Sequence, residues 1–283
     1  MTAAASDLIP SKHGPVGVLD SGVGGLSILH ALRQTLPGEA FLYIADQTHL
    51  PYGGRPLAEI RAFVRGITRF LLARQAKMIV VACNAASAAG LHDLRAAFPH
   101  VPFVGMEPAV KPAAAATQSG VVGVLTTAAT AAGDLYTGVV RRFAQGARVE
   151  TIICPELVHA IERNQTDLAA LRPLFERKLA PVLAQGADQI VLGCTHFPFA
   201  ADAIRAYAGP QVNVIDPGPA VARQARHVLE SRALFNDADA LPTRYYTTGD
   251  RTRFVEMVKS LTGETVAATL LAWTDGTLRE IKP

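Results

Sequence analysis

One feature constrains the fold more than any other: four short apolar runs recur in the same order 106 to 111 positions further along the chain. Val16-Gly17-Val18-Leu19 returns letter for letter as Val122-Gly123-Val124-Leu125, 106 positions on. Ile79-Val80-Val81-Ala82-Cys83 is echoed by Ile190-Val191-Leu192-Gly193-Cys194, 111 positions on. Weaker echoes link Tyr43-Ile44-Ala45 with Ile152-Ile153-Cys154, and residues 101–104 with 212–215. The resemblance of one Val/Ile-rich strand to another explains any single match, but not their shared order and spacing.

Between the runs the pattern is helical. Leu57 to Gln75 carries Ile60, Phe63, Val64, Ile67, Phe70 and Leu71 at helical spacing. Short apolar strands alternating with amphipathic helices imply βαβ units and parallel sheets. The expected fold class is therefore α/β, with two similar pseudo-symmetric parallel-sheet halves facing each other across a buried cleft. The expected division is an N-terminal extension over 1–14, a first half over 15–107 plus 213–283, and a second half over 108–212. The last segment, with Tyr245-Tyr246-Thr247-Thr248-Gly249-Asp250 and a helix from Arg251 to Leu261, returns to complete the first half. A length of 283 residues accommodates two such units.

In open parallel sheets ligands bind at the carboxyl ends of strands. The first strand ends at Asp20-Ser21 and its copy at Thr126-Thr127; the third ends at Cys83-Asn84 and its copy at Cys194-Thr195. If the halves face each other, one thiol projects into the cleft from each side. Inverting a stereocentre requires two acid/base groups, one deprotonated and one protonated. A thiol with an ordinary pKa of about 8.5 can be tuned to either role. Each has a neighbour able to tune it. Asp20 ends the strand beside that of Cys83, and His196 lies two residues beyond Cys194. The glycine-rich turn Asp20-Ser21-Gly22-Val23-Gly24-Gly25 leads into a helix whose free N–H groups suit developing negative charge.

Other chemistries are less well supported. Gly22-x-Gly24-x-x-Ser27 is one residue short of the dinucleotide fingerprint, and its copy, Thr126-Thr127-Ala128-Ala129-Thr130, has no glycine. Cys83, Cys154, Cys194 and His196 could in principle bind zinc, but no CxxC is present. Cys154 reads as a small buried hydrophobe. Lys plus Arg number 27 against 24 acids and are scattered, so charge makes no case for nucleic acid. No run approaches a signal peptide or a membrane span. Three cysteines without regular spacing fit a reducing, cytoplasmic compartment.

The segments VGVLDSGVGGLSIL (16–29), ADQTHLPYGGR (45–55), VVACNAASAA (80–89), VPFVGMEPAVKPAA (101–114) and VLGCTHFPF (191–199) resemble the signature segments of glutamate racemases. They occur in that family's order and at about its spacings. CPELVHAIE (154–162) and YYTTGD (245–250) extend the resemblance over nearly the whole chain. It implies a racemase that uses no cofactor and no metal and interconverts L- and D-glutamate, supplying the D form to peptidoglycan. It also implies that Cys83 takes the proton from D-glutamate and Cys194 from L-glutamate. Asp20 then assists the first thiol and His196 the second, with Glu162 the acid near that histidine. Ser21, Tyr52, Gly53, Asn84 and Thr195 match substrate-holding positions, with Asp20 and His196 among them, and Thr127 and Thr130 match a further pair. The implied partner is a small-molecule substrate, without nucleic acid or membrane, in a chain compatible with a homodimer.

Two departures from the family pattern stand out. Ala85 occupies the position after Cys-Asn where the family usually carries threonine, so a hydroxyl donor to the substrate carboxylate is missing while the backbone N–H remains. A lost hydrogen bond to a charged group costs about 1.5–3 kcal/mol unless water replaces it. Gln47 and His49 replace commoner residues in the loop before Pro51-Tyr52-Gly53, near the expected mouth of the site. The rival readings are a racemase of another amino acid such as aspartate, a hydantoin racemase, a one-thiol decarboxylase, and a non-catalytic carboxylate-binding protein of the same fold.

Overall fold

The computed structural model describes residues 10–144, 146–236 and 242–281. Its first sheet contains β1 (Val16–Asp20), β2 (Phe41–Ala45), β3 (Met78–Val81) and β4 (Phe103–Gly105). The second contains β5 (Val121–Thr126), β6 (Arg148–Ile153), β7 (Gln189–Leu192) and β8 (Asn213–Ile215). β9 (Arg244–Thr247), β10 (Ala268–Thr274) and β11 (Thr277–Glu280) return to the first sheet. The strand orders are β11-β10-β9-β2-β1-β3-β4 and β6-β5-β7-β8. The run β2-β1-β3-β4 is thus repeated as β6-β5-β7-β8, every pairing within the two runs being parallel.

Register sharpens the duplication. Val16 pairs with Met78 and Val122 with Gln189, preserving the 106- and 111-residue offsets. The echo of β2 is one residue off, because Ala45 pairs with Asp20 and Ile153, not Cys154, pairs with Thr126. β8 hydrogen-bonds to β7, so the chain leaves the second sheet after Ile215 rather than at 213. The expected extension over 1–14 falls largely outside the described residues. The helix expected to reach Gln75 ends at Leu72, and Gln75 itself takes a left-handed backbone (φ 62°).

Apolar alternation explains the layers. In β1, Val16 and Val18 face the helices Leu26–Thr35, Gly218–Ser231 and Arg251–Thr262, while Leu19 faces Leu57–Leu72 and Asn84–Ala97. The second sheet is likewise covered on both faces: Leu125 and Leu192 pack among Leu157, Phe175 and Ile204, and Val122 and Val124 pack among Val110, Tyr136 and Val139. Burial on both faces is why the central strands are continuous apolar runs. Among the described residues no helix is long and apolar enough to cross a membrane.

At the amino ends of the first sheet, Lys77 and Glu39 form an ion pair of 2.6 Å, with both side chains fully buried. The Lys77 ammonium also donates to the Lys12 carbonyl at 2.6 Å. Removing one partner strands the other charge away from water. Lys77→Ala should therefore lower unfolding stability by about 3–5 kcal/mol in a urea titration, whereas a loss below about 1 kcal/mol would show the pair to be effectively solvated.

Candidate active site

β1 and β3 are adjacent and parallel, so Asp20 at the end of β1 and Cys83, two residues beyond β3, emerge at the same edge. β5 and β7 repeat this, bringing Thr126 and Cys194 to the corresponding edge. The two edges bound one cavity of about 240 Å³. Ser21, Tyr52, Gly53, Cys83, Asn84 and Ala85 line it from the first lobe. Thr127, Thr130, Cys194, Thr195 and His196 line it from the second. Asp20 and Glu162 lie behind this wall rather than in it: neither is among the lining residues, and Asp20 is fully buried.

Cys83 is the residue immediately before the helix Asn84–Ala97 and takes extended backbone. Its sulfur is 3.9 Å from the Ser21 hydroxyl. Burial, reinforced by the Asp20 charge, pushes the Cys83 thiol well above its ordinary pKa, although the Ala86 N–H opposes the shift. Asp20 Oδ2 accepts from the N–H groups of Gly25 at 2.8 Å and Gly22 at 3.2 Å. Burial still raises the Asp20 carboxyl, against the lowering effect of His196 and these donors. The glycine-rich turn is thus a carboxylate cradle. Gly24 is glycine because a Cβ there would overlap the His196 ring.

The second thiol has a different partner. Cys194 Sγ lies 3.8 Å from His196 Nδ1, and His196 Nε2 donates to Glu162 Oε1 at 2.7 Å. That oxygen also accepts the Val23 N–H of the opposite lobe at 3.1 Å. Burial would lower the His196 pKa, but the bonds and charges of Cys194 and Glu162 raise it well above the ordinary value. Burial would raise the Glu162 carboxyl, yet His196, the Val23 N–H and Arg253 hold it below its ordinary range. The pair is therefore an imidazolium–carboxylate ion pair. The lobes also meet where Ser27 Oγ contacts the Thr195 carbonyl at 2.9 Å.

The remaining positions divide clearly. Asn84 is buried and lines the cavity, and among the described residues neither its amide nitrogen nor its amide oxygen has a hydrogen-bond partner. Thr127 and Thr130 share a 3.1 Å hydroxyl contact. Ala85 offers no side-chain donor, but its N–H lies in the first helical turn, where no intrahelical acceptor exists. Gln47 and His49 lie in the loop before Pro51-Tyr52-Gly53, which lines the cavity, but are not themselves lining residues; Gln47 accepts from Thr247 at 2.8 Å and His49 packs on Phe63. Cys154 is buried among apolar side chains, its thiol pushed up to about 11 by burial. Sequence reasoning missed Ile153, Pro155, Val158 and His159, which form the cavity wall after β6. Their position at a strand's carboxyl end was the available signal.

Two α/β lobes present a thiol from equivalent strand ends to one cavity, an arrangement that suits an enzyme acting on a small molecule. Residues 17–225 match the family model described as Asp/Glu/hydantoin racemase. The chain is 47% identical over 249 residues to the glutamate racemase of Roseiflexus sp. (strain RS-1), spanning 87% of this chain and 92% of that one. It superposes on glutamate racemase isoform RacE1 from Bacillus anthracis with a TM-score of 0.83 at 30% identity, over 94% of this chain and 99% of that one. It superposes on Escherichia coli glutamate racemase in complex with L-glutamate and the activator UDP-MurNAc-Ala with a TM-score of 0.76 at 30% identity, over 88% and 95% of the two chains. The chain belongs to the Asp/Glu/hydantoin racemase family.

Folding raises the His196 pKa, so that shift contributes stability in full below the unfolded value of about 6.5 and loses it as pH rises through the folded value. The contribution of the lowered Glu162 carboxyl is lost as pH falls through its folded value. In Glu162→Gln, the NMR titration midpoint of the His196 ring should fall by about one pH unit or more. An unchanged midpoint would mean that Glu162 does not set the charge of the ring.

Proposed function

We propose that this chain interconverts L- and D-glutamate by moving the α-proton between Cys83 and Cys194, with no cofactor, and so supplies D-glutamate for peptidoglycan in the cytoplasm. The observation that carries the reading is the placement of the two thiols at duplicated strand ends on opposite sides of one cavity. The family membership supports it, as do relatives named for the same reaction.

The two thiols have unequal surroundings. Cys83 rests as the neutral thiol because burial and Asp20 raise its pKa. Cys194 faces an imidazolium, which complements negative charge on its sulfur. For L-glutamate, the Cys194 thiolate takes the α-proton and becomes a thiol, leaving the electron pair on carbon, where it spreads into the α-carboxylate. The Cys83 thiol delivers its proton to the opposite face and becomes the thiolate. D-Glutamate runs the same steps in reverse: the Cys83 thiolate takes the α-proton and becomes a thiol, and the Cys194 thiol delivers its proton to the opposite face. This regenerates the starting protonation, with the Asp20 and His196 charges assisting the first and second thiol. Among the described residues, no lysine or arginine side chain lines the cavity. The substrate charges are therefore met by Ser21, Asn84, Thr127, Thr130 and Thr195, and by the N–H groups of Gly53 and of the first turn at Asn84 and Ala85.

Each enantiomer, incubated with the protein in deuterated water containing EDTA, should lose its circular dichroism and gain deuterium at Cα. Binding without label uptake would instead support a non-catalytic carboxylate-binding protein. Faster label uptake into aspartate than into glutamate would support the aspartate reading.

A further inference from the structure

Asp46 directly follows β2 and is fully buried, yet it does not line the cavity and the thiol chemistry does not use it. Four side chains bond to its carboxylate. Trp273 Nε1 donates to Oδ1 at 2.7 Å, and Thr248 Oγ1 donates to the same oxygen at 2.9 Å. The Tyr52 hydroxyl donates to Oδ2 at 2.6 Å, and His49 Nδ1 meets that oxygen at 2.8 Å. Charge-assisted hydrogen bonds of this kind are short and geometrically demanding. Tyr52 and His49 belong to the loop leading to the cavity, whereas Thr248 and Trp273 belong to the returning carboxyl-terminal segment. The carboxylate is the junction between them.

The indole is firmly seated. It stands edge-on to the His49 ring with centroids 5.2 Å apart, and that ring lies flat on Phe63 at 3.7 Å. Gly66 makes room for it, since a Cβ there would approach the indole to 2.6 Å. Beyond the junction, Tyr52 and Gly53 form part of the cavity wall. Gly53 presses on the opposite lobe, where a Cβ would lie 2.7 Å from Thr127 Cβ. Asp46 reaches Asp20 through the backbone, N–H to carbonyl at 2.9 Å, a link that side-chain substitutions leave intact.

We propose that Asp46 is a positioning residue for the substrate loop, and that Trp273 acts through it to set how closely Tyr52 and Gly53 hold the substrate against Thr127. The proposal rests on the racemase reading above. In this hub neither Asp46 nor Trp273 lines the cavity that holds the thiols, so weakening their bond acts on substrate binding, and hence on KM, more than on kcat.

Trp273→Phe retains an aromatic ring beside His49 and Phe63 and removes the N–H. It should raise KM for glutamate by about fivefold or more, with kcat within about twofold of wild type. Asp46→Asn, which turns one acceptor oxygen into a donor, should raise KM by about tenfold or more while thermal unfolding remains cooperative. Trp273 is the single tryptophan of the chain, so wild-type emission should change on titration with glutamate, with a midpoint at KM. A KM indifferent to Trp273→Phe, or emission unmoved by saturating glutamate, overturns the proposal. Trp273→Phe decides the matter even if Asp46→Asn fails to fold. A wild type that does not racemise glutamate overturns the functional reading instead, and calorimetric affinities of wild type and Trp273→Phe for glutamate then decide the hub.

Discussion

The parallel pairing of β1 with β3, repeated by β5 with β7, is the constraint on which the site depends. Parallel neighbours end at the same level, so whatever follows one strand stands beside whatever ends the next. In the first lobe this puts Cys83 beside Asp20, and in the second Cys194 beside Thr126. The helices that return the chain between strands bury both faces of each sheet, leaving the carboxyl edges as the open ground for a ligand. Closure of one edge on the other yields a cavity with a thiol on each side.

The backbone is duplicated but the electrostatics are not. The first thiol is backed by a buried carboxyl held by two glycine N–H groups. The second is backed by an imidazolium paired with Glu162, and Glu162 Oε1 also takes the Val23 N–H from the opposite lobe. The same glycine-rich turn therefore serves both halves, cradling Asp20 through Gly22 and Gly25 and receiving Glu162 at Val23. That asymmetry suits the proposed chemistry, in which one acid must face one base.

Much of this was legible in the sequence because buried parallel strands must be apolar, and two copies of such a pattern survive comparison within one chain. Asp20, Cys83, Cys194 and His196 were legible because each sits at or just beyond the end of such a run. Glu162 was not readable from spacing, since its place follows from how the turn after Pro155–Ile161 packs against the other lobe. The resemblance to known racemases supplied it. The β2 echo was misaligned by one residue because apolar identity does not encode register, and β8 was misassigned at its boundary because three residues carry little pattern. His49 lies three residues before Tyr52 in the sequence but outside the cavity wall. Its ring instead turns away, to the Asp46 carboxylate and the face of Phe63.

The claim that each thiol serves one face of the substrate is tested most directly by elimination from β-substituted glutamates, which needs a single base. Serine retains the shape of cysteine but is a far weaker acid and base, so Cys83→Ser and Cys194→Ser should each lose racemisation by a factor on the order of 10²–10⁴. Cys194→Ser should still eliminate the leaving group from the D isomer, and Cys83→Ser from the L isomer. Near wild-type racemisation by either variant, or elimination from the same isomer by both, would contradict the two-thiol account.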